Sequence, residues 1–310
     1  MDERVEHVER IEHAEHAEQV ERVEFVTADD GCALWTVRSE GTSETGGGHG
    51  FVFCHGGPGF WDTLGPIARM IEDLGPVVRW DQRGAGRSQW QGPYTVARFL
   101  ADLDQIRAHH GFDEVTVLGH SWGAMLALQY VLAAEYRPRV RGLVYVAGVG
   151  ISALTWREEF SANAKAAYAP YAAEAGELEA LETRTPEQER RMWQLELARE
   201  FPDSSRALEL AATQVVEFFG EDEPAAALLR AEAAGYDVVE QVERVRALNV
   251  PTLIVDGMRD LRPRWAVDSL AEALPDVARV RLAEAGHFPW LDEPQEFEAA
   301  LRGFLAPGKP

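Results

Sequence analysis

Val115-Thr-Val-Leu-Gly-His-Ser-Trp-Gly-Ala-Met-Leu-Ala-Leu-Gln-Tyr130 decides how the rest of the chain is read. A short β-branched apolar segment runs through Gly119-His120-Ser121-Trp122-Gly123 straight into a pattern of Ala, Leu and Met suited to a buried helix. Strand, sharp turn and helix follow without a spacer. The glycines allow a tight reversal that leaves the Ser121 hydroxyl exposed at its apex, the arrangement of a nucleophile elbow. A bare Gly-x-Ser-x-Gly also occurs in ordinary turns. The strand before it and the helix after it are what single out Ser121 as a candidate nucleophile.

Working outward, strands alternate with helices. Residues 51–54 read as a buried strand ending in His55-Gly56-Gly57-Pro58-Gly59, and residues 64–74 as a helix. Val77–Trp80 is the next strand, followed by Asp81-Gln-Arg-Gly-Ala-Gly-Arg-Ser88 and a helix over 95–110 with Thr95 as its cap. Val140–Val146 repeats the strand pattern. Such alternation predicts an α/β fold, a mostly parallel sheet flanked by helices. Residues 23–27 and 32–38 form a hairpin about Asp29-Asp30-Gly31 and supply an antiparallel edge, and Gly41 to Gly50 is a flexible loop.

Between residues 151 and 248 the strand pattern gives way to Ala-, Glu-, Leu- and Arg-rich stretches punctuated by Pro170, Pro186, Pro202 and Pro224. We read this as an inserted helical cap. The core, 23–150 and 249–310, resumes with a strand over 251–256, a helix near 265–274, the strand Val277–Leu282 and the closing helix Pro294–Leu305.

Residues 1–22 read as a charged low-complexity tail. From Val5 an apolar residue recurs every third position with Glu after it, and a period of three drifts around a 3.6-residue helix, so no face stays apolar. His7, His13 and His16 lack the thiolates and fixed framework of a metal site. A net charge of −22, from 52 acidic and 30 basic residues, argues against nucleic acid and anionic membranes as partners. Cys32 and Cys54 are too few for a disulfide framework and read as buried free thiols, which with the lack of an apolar signal core points to the cytoplasm.

A serine hydroxyl is a weak nucleophile at neutral pH and needs a base, which in turn needs an acid to hold its tautomer. In this layout the acid follows a late strand and the base lies on a loop after the next one, in the order Ser, Asp, His. Asp260, in Asp256-Gly-Met-Arg-Asp260, and His287, in Ala285-Gly-His-Phe-Pro-Trp290, occupy those places; Asp256 is the alternative acid. His120 is a poor base because its side chain points across the turn from Ser121. Gly56 or Gly57 offers one backbone N–H to an oxyanion, and Trp122, directly after the nucleophile, offers the other. Asp81, Arg83 and Arg87 read as strand-end ion pairs that hold a loop, with a charged substrate site as the alternative.

His-Gly-Gly-Pro-Gly, Asp-Gln-Arg-Gly-x-Gly-x-Ser and Gly-x-Ser-Trp-Gly, in that order, resemble the α/β-hydrolase fold and within it the prolyl aminopeptidases, over a match running from about residue 23 to 305. The resemblance implies a serine peptidase that removes an N-terminal residue, often proline, from short peptides and uses no metal or other cofactor. It assigns Ser121, Asp260 and His287 as the triad and Gly57 with Trp122 as the oxyanion pair. In that family cap glutamates bind the substrate's amine, an ammonium in a closed pocket needing carboxylate partners. Glu196, after Trp193, and Glu217, in Val215-Val-Glu-Phe-Phe219, have a similar setting. Where the family often has Gly-Gly-Ser-Trp-Gly this chain has His120, as is common in esterases and carbon–carbon bond hydrolases of the fold. The competing readings are therefore a carboxylesterase, lactonase or related acyl hydrolase with the same triad, and a small-molecule receptor that kept the fold without catalysis.

Overall fold

A computed structural model describes residues 21–41, 48–150, 153–220, 223–235 and 241–306. The tail with His7, His13 and His16 lies outside them, as does 42–47 of the glycine-rich loop.

Eight strands form one sheet: β1 (Glu21–Thr27), β2 (Ala33–Ser39), β3 (His49–Cys54), β4 (Val77–Trp80), β5 (Glu114–His120), β6 (Val140–Val146), β7 (Thr252–Gly257) and β8 (Val277–Leu282). Their order is β1-β2-β4-β3-β5-β6-β7-β8. β1 pairs antiparallel with β2 and β2 with β4, and every later pairing is parallel. The hairpin therefore forms the antiparallel edge that its Asp-Gly turn predicts. β1 starts at Glu21 rather than 23, because Glu21 pairs with Ser39 and its carboxylate reaches Arg79 Nη2 at 2.8 Å.

The central strands are apolar on both faces, as a sheet covered by helices on each side requires. Val52, Cys54, Val78, Val115 and Val117 join the core beneath the helices Val96–His109 and Trp122–Leu132. Phe51, Phe53, Leu118, Val144 and Val255 join the opposite core with Ile67, Phe297 and Leu301. Each fully buried Leu, Ile or Val contributes on the order of 1.5–3 kcal/mol. Thr95 caps its helix by accepting from the Arg98 N–H at 3.2 Å. The single helix expected over 64–74 is instead Gly65–Arg69 followed by a short 3₁₀ turn at Glu72–Leu74. Ile71 leaves α-helical backbone at φ −134° while its side chain stays fully buried.

Between β6 and β7 the described elements are helices: Ala153–Tyr168, Ala172–Glu179, Pro186–Ala198, Ala207–Gln214, Glu223–Gly235 and Gln241–Arg246. The third of these begins on a complete capping box, Thr185 with Gln188, and has Pro186 in its first turn, where its missing N–H costs nothing. That start fixes the register of Trp193 and Glu196. Among the described residues no helix is long and apolar enough to cross a membrane.

Candidate active site

Ser121 sits at φ 55°, ψ −117° between β5 and the helix Trp122–Leu132. A non-glycine residue held there is strained, and such strain persists only where its surroundings fix it. The Ser121 N–H donates to the Val146 carbonyl at 2.9 Å, tying the apex to β6. Gly123 lets the helix approach β3, since a Cβ there would lie 2.0 Å from the Cys54 carbonyl oxygen.

Asp260 and His287 follow β7 and β8, and these loops meet because Gly257 has no side chain: a Cβ would lie 2.0 Å from the Gly286 oxygen. His287 Nδ1 donates to Asp260 Oδ2 at 2.8 Å, and both side chains are buried. Asp256 is instead held by Arg264 Nη1 at 3.1 Å and Arg279 Nε at 2.6 Å, so the acid brought to the histidine is Asp260. Burial raises the Asp260 carboxyl, but Arg264, His287 and Arg262 more than offset this and hold it well below the usual carboxylate range. It is the charged partner an imidazole needs.

The loop after β3 is organised by His55. Its Nδ1 donates to the Gly56 carbonyl at 2.6 Å, its Nε2 accepts from the Gln82 N–H at 2.9 Å, and burial depresses its basicity. The two bonds together require the neutral tautomer protonated on Nδ1. Gln82 then accepts from the Trp122 indole at 2.8 Å, linking this loop to the elbow. Trp122 opens its helix, so its backbone N–H is among those with no intrahelical partner.

Ser121 and His287 line one cavity of about 550 Å³ with Gly56, Gly57, Phe60 and Trp193. A family model described as the alpha/beta hydrolase fold matches residues 51–294. The chain belongs to the α/β-hydrolase fold family. A proline iminopeptidase of Clostridium botulinum is 26% identical over 281 residues, covering 84% of this chain and 91% of that protein. Among solved structures, the proline iminopeptidase of Mycobacterium smegmatis superposes with TM-score 0.65 at 20% identity, over 91% of this chain and 97% of that one. The enol-lactonase of Burkholderia xenovorans does so with TM-score 0.68 at 19% identity, over 91% and 99%.

The cavity of this α/β-hydrolase is charged as well as aromatic. Glu196 is on its wall, paired with Arg199 at 2.9 Å. Glu217 is not; its side chain, 60% exposed, pairs with Arg87 and lines a separate cleft against β1. Asp81 binds the Asp62 N–H at 2.7 Å and Arg87 Nη1 at 2.7 Å, and Arg83 Nε binds buried Asp102 at 2.6 Å, so these groups brace the loop after β4.

Among the cavity residues that sequence alone did not single out, two bear directly on Asp260. Glu200 pairs through Oε2 with Arg262 Nη1 at 2.9 Å, and Arg262 also reaches Asp260 Oδ1 at 3.2 Å. The Glu200, Asp260 and His287 ligand atoms lie within 4.8 Å of one another, but the guanidinium already holds both carboxylates, where a metal ion would have to bind. Arg262 had a faint signal in its two-residue spacing from Asp260; Glu200, 62 positions from Arg262, had none.

Proposed function

We propose that this chain is a serine hydrolase working through an acyl-enzyme, with Ser121 as nucleophile, His287 as general base and Asp260 as the orienting acid. His287 takes the Oγ proton as Ser121 attacks a carbonyl carbon, and the N–H groups of Gly57 and Trp122 receive the oxyanion. The imidazolium returns that proton to the leaving group, and water activated by the same imidazole then frees the serine. The observation that carries this reading is the 2.8 Å hydrogen bond from His287 to Asp260, with His287 lining the same cavity as the strained Ser121.

Within that chemistry the reading is an aminopeptidase that releases an N-terminal residue, proline or similar, from short peptides. The similarity to proteins named proline iminopeptidase over most of the chain supports it, as does Glu196 on the cavity wall. One observation favours a carboxylesterase or lactonase instead: the cavity carboxylates Glu189, Glu196 and Glu200 each already pair with an arginine, for which a substrate ammonium would have to compete. A panel of aminoacyl arylamides beside simple acyl esters separates the two. Cleavage of free-amine substrates supports the peptidase, and cleavage of esters alone overturns it. Ser121→Ala, folded and inactive on both, is the control for the nucleophile.

A further inference from the structure

Glu200 touches the base and the acid by different routes. Its backbone carbonyl accepts from the His287 N–H at 3.2 Å. Its carboxylate binds Arg262 Nη1 at 2.9 Å, and Arg262 grips Asp260 Oδ1 with its own backbone N–H at 2.8 Å as well as with Nη1. Asp260 is thereby presented with Oδ2 toward His287 Nδ1. A fork-shaped guanidinium suits this bridging, since it offers several donors in fixed directions.

Charge is the second consequence. A full positive charge beside an imidazole disfavours the imidazolium that must form when Ser121 gives up its proton. Arg262 brings such a charge, and it is balanced by Glu200, whose side chain is 6% exposed. Burial raises the Glu200 carboxyl, but the charges of Arg262 and His287 more than offset this and hold it ionised. Among the described residues, the charged or titratable groups about His287 include Asp260, Arg264 at 3.5 Å from Asp260, Arg199 at 3.7 Å from Glu200, His120 with its ring centroid 4.7 Å away and Asp292 on the Gly286 N–H, while Arg184, Glu189, Glu196 and Arg230 line the same cavity. Burial keeps His120 neutral, and Arg264 already pairs with Asp256.

We infer that Glu200 and Arg262 form a positioning pair for the triad: Arg262 aims Asp260 at His287, and the Glu200 carboxylate cancels the arginine's charge so that the histidine can act as a base. The inference rests on the Ser121–His287–Asp260 reading. It adds a carboxylate from the segment just beyond the helix Pro186–Ala198, whose Trp193 and Glu196 line the same cavity.

The test reads the pH dependence of Ser121 labelling by a fluorophosphonate probe, together with an NMR titration of the His287 imidazole. Glu200→Gln keeps an acceptor for Arg262 and removes the charge. We expect labelling near neutral pH to slow about tenfold, and its acid limb and the imidazole titration to move to lower pH by on the order of one unit. Glu200→Asp keeps the charge and restores the limb. Arg262→Gln shifts it the opposite way and slows labelling further by loosening Asp260. The double variant Glu200→Gln/Arg262→Gln removes both buried charges, the tolerated way to remove such a pair, and keeps the test open if a single variant fails to fold. Its limb returns toward that of the wild type. A folded Glu200→Gln protein with both titrations unmoved overturns the proposal. Wild-type protein that never labels overturns the nucleophile assignment instead, while the imidazole titration still reads the effect of Glu200.

Discussion

The imidazole of His120 donates from Nε2 to the backbone carbonyl of His287 at 2.8 Å. A carbonyl only accepts, so this nitrogen carries the proton, and burial together with the nearby His287 holds His120 neutral, well below the ordinary imidazole range. The residue before the candidate nucleophile thus clamps the loop that carries the candidate base. His120→Ala removes the clamp and leaves space beside Phe288 and Trp290, both in ring contact with it. Misplacing a base by about 1 Å costs on the order of 100-fold in rate. We expect kcat to fall ~10- to 100-fold with KM little changed, measured on whichever ester or arylamide the wild type cleaves. An unchanged kcat in folded His120→Ala would show that the clamp is dispensable.

Asp260 and Asp256, four residues apart and both buried, differ in what their loss is expected to do to turnover. Asp260→Asn keeps a side chain of the same shape but lets His287 adopt the wrong tautomer, so kcat per folded molecule is expected to drop about 10³- to 10⁴-fold, with some loss of stability because Arg262 and Arg264 lose a charged partner. Asp256→Asn leaves Arg264 and Arg279 without their shared carboxylate and is expected to cost about 3 kcal/mol of stability while sparing most of the activity per folded molecule. Paired urea melts and steady-state rates distinguish the two, and the reverse assignment of effects would make Asp256 the acid.

Strands were legible because both faces of β3, β5 and β6 are apolar and their ends carry glycine-rich turns, signals that depend only on neighbours in sequence. Chain order was legible too: it picked out Asp260 and His287, which the fold brings into hydrogen-bond contact, and Ser121, which shares a cavity with His287. What the pattern did not show was pairing at a distance. Glu217 resembles an inward-facing helical glutamate in its context Val215-Val-Glu-Phe-Phe219, yet the helix Ala207–Gln214 stops short of it and its carboxylate turns outward to Arg87. Glu200 looks like one more surface acid in a Glu-rich stretch, and its burial beside Arg262 is set by tertiary structure. The break at fully buried Ile71 likewise has no helix-stopping residue at that position to announce it.

Asp292 supplies a signed pH prediction. Burial raises its carboxyl to about 6, even though it accepts from the Gly286 N–H at 2.8 Å. An unfolded Asp titrates near ~3.9. Between those values the folded state holds a proton that the unfolded state has lost, so stability falls as pH rises through the window, and the cost is complete above about 6. Asp292→Asn removes the titration and retains an oxygen for the Gly286 N–H. We expect its urea midpoint to exceed that of the wild type at pH 8 and the difference to close at pH 4. A gain of equal size at both pH values would mean that the carboxyl is not the source.

Glu196 and Glu217 offer the sharpest division between the two substrate readings, since one lines the Ser121 cavity and the other an outer cleft. An ammonium held in a closed site by a carboxylate makes a charge-assisted hydrogen bond, and loss of that charge costs roughly 1.5–3 kcal/mol, about 10- to 100-fold in kcat/KM. If the aminopeptidase reading holds, Glu196→Gln lowers kcat/KM for aminoacyl arylamides by that factor and leaves simple acyl esters untouched, because only the former carry the amine. Glu217→Gln changes neither substrate by more than about twofold, since its exposed pair with Arg87 is worth at most ~1 kcal/mol and lies outside the cavity. Equal losses on ester and arylamide in Glu196→Gln would assign this glutamate to holding Arg199, with which it pairs at 2.9 Å, rather than to the substrate's amine. That outcome would turn the cavity's acids into a purely structural set and leave the ester-cleaving reading as the better account of its charge.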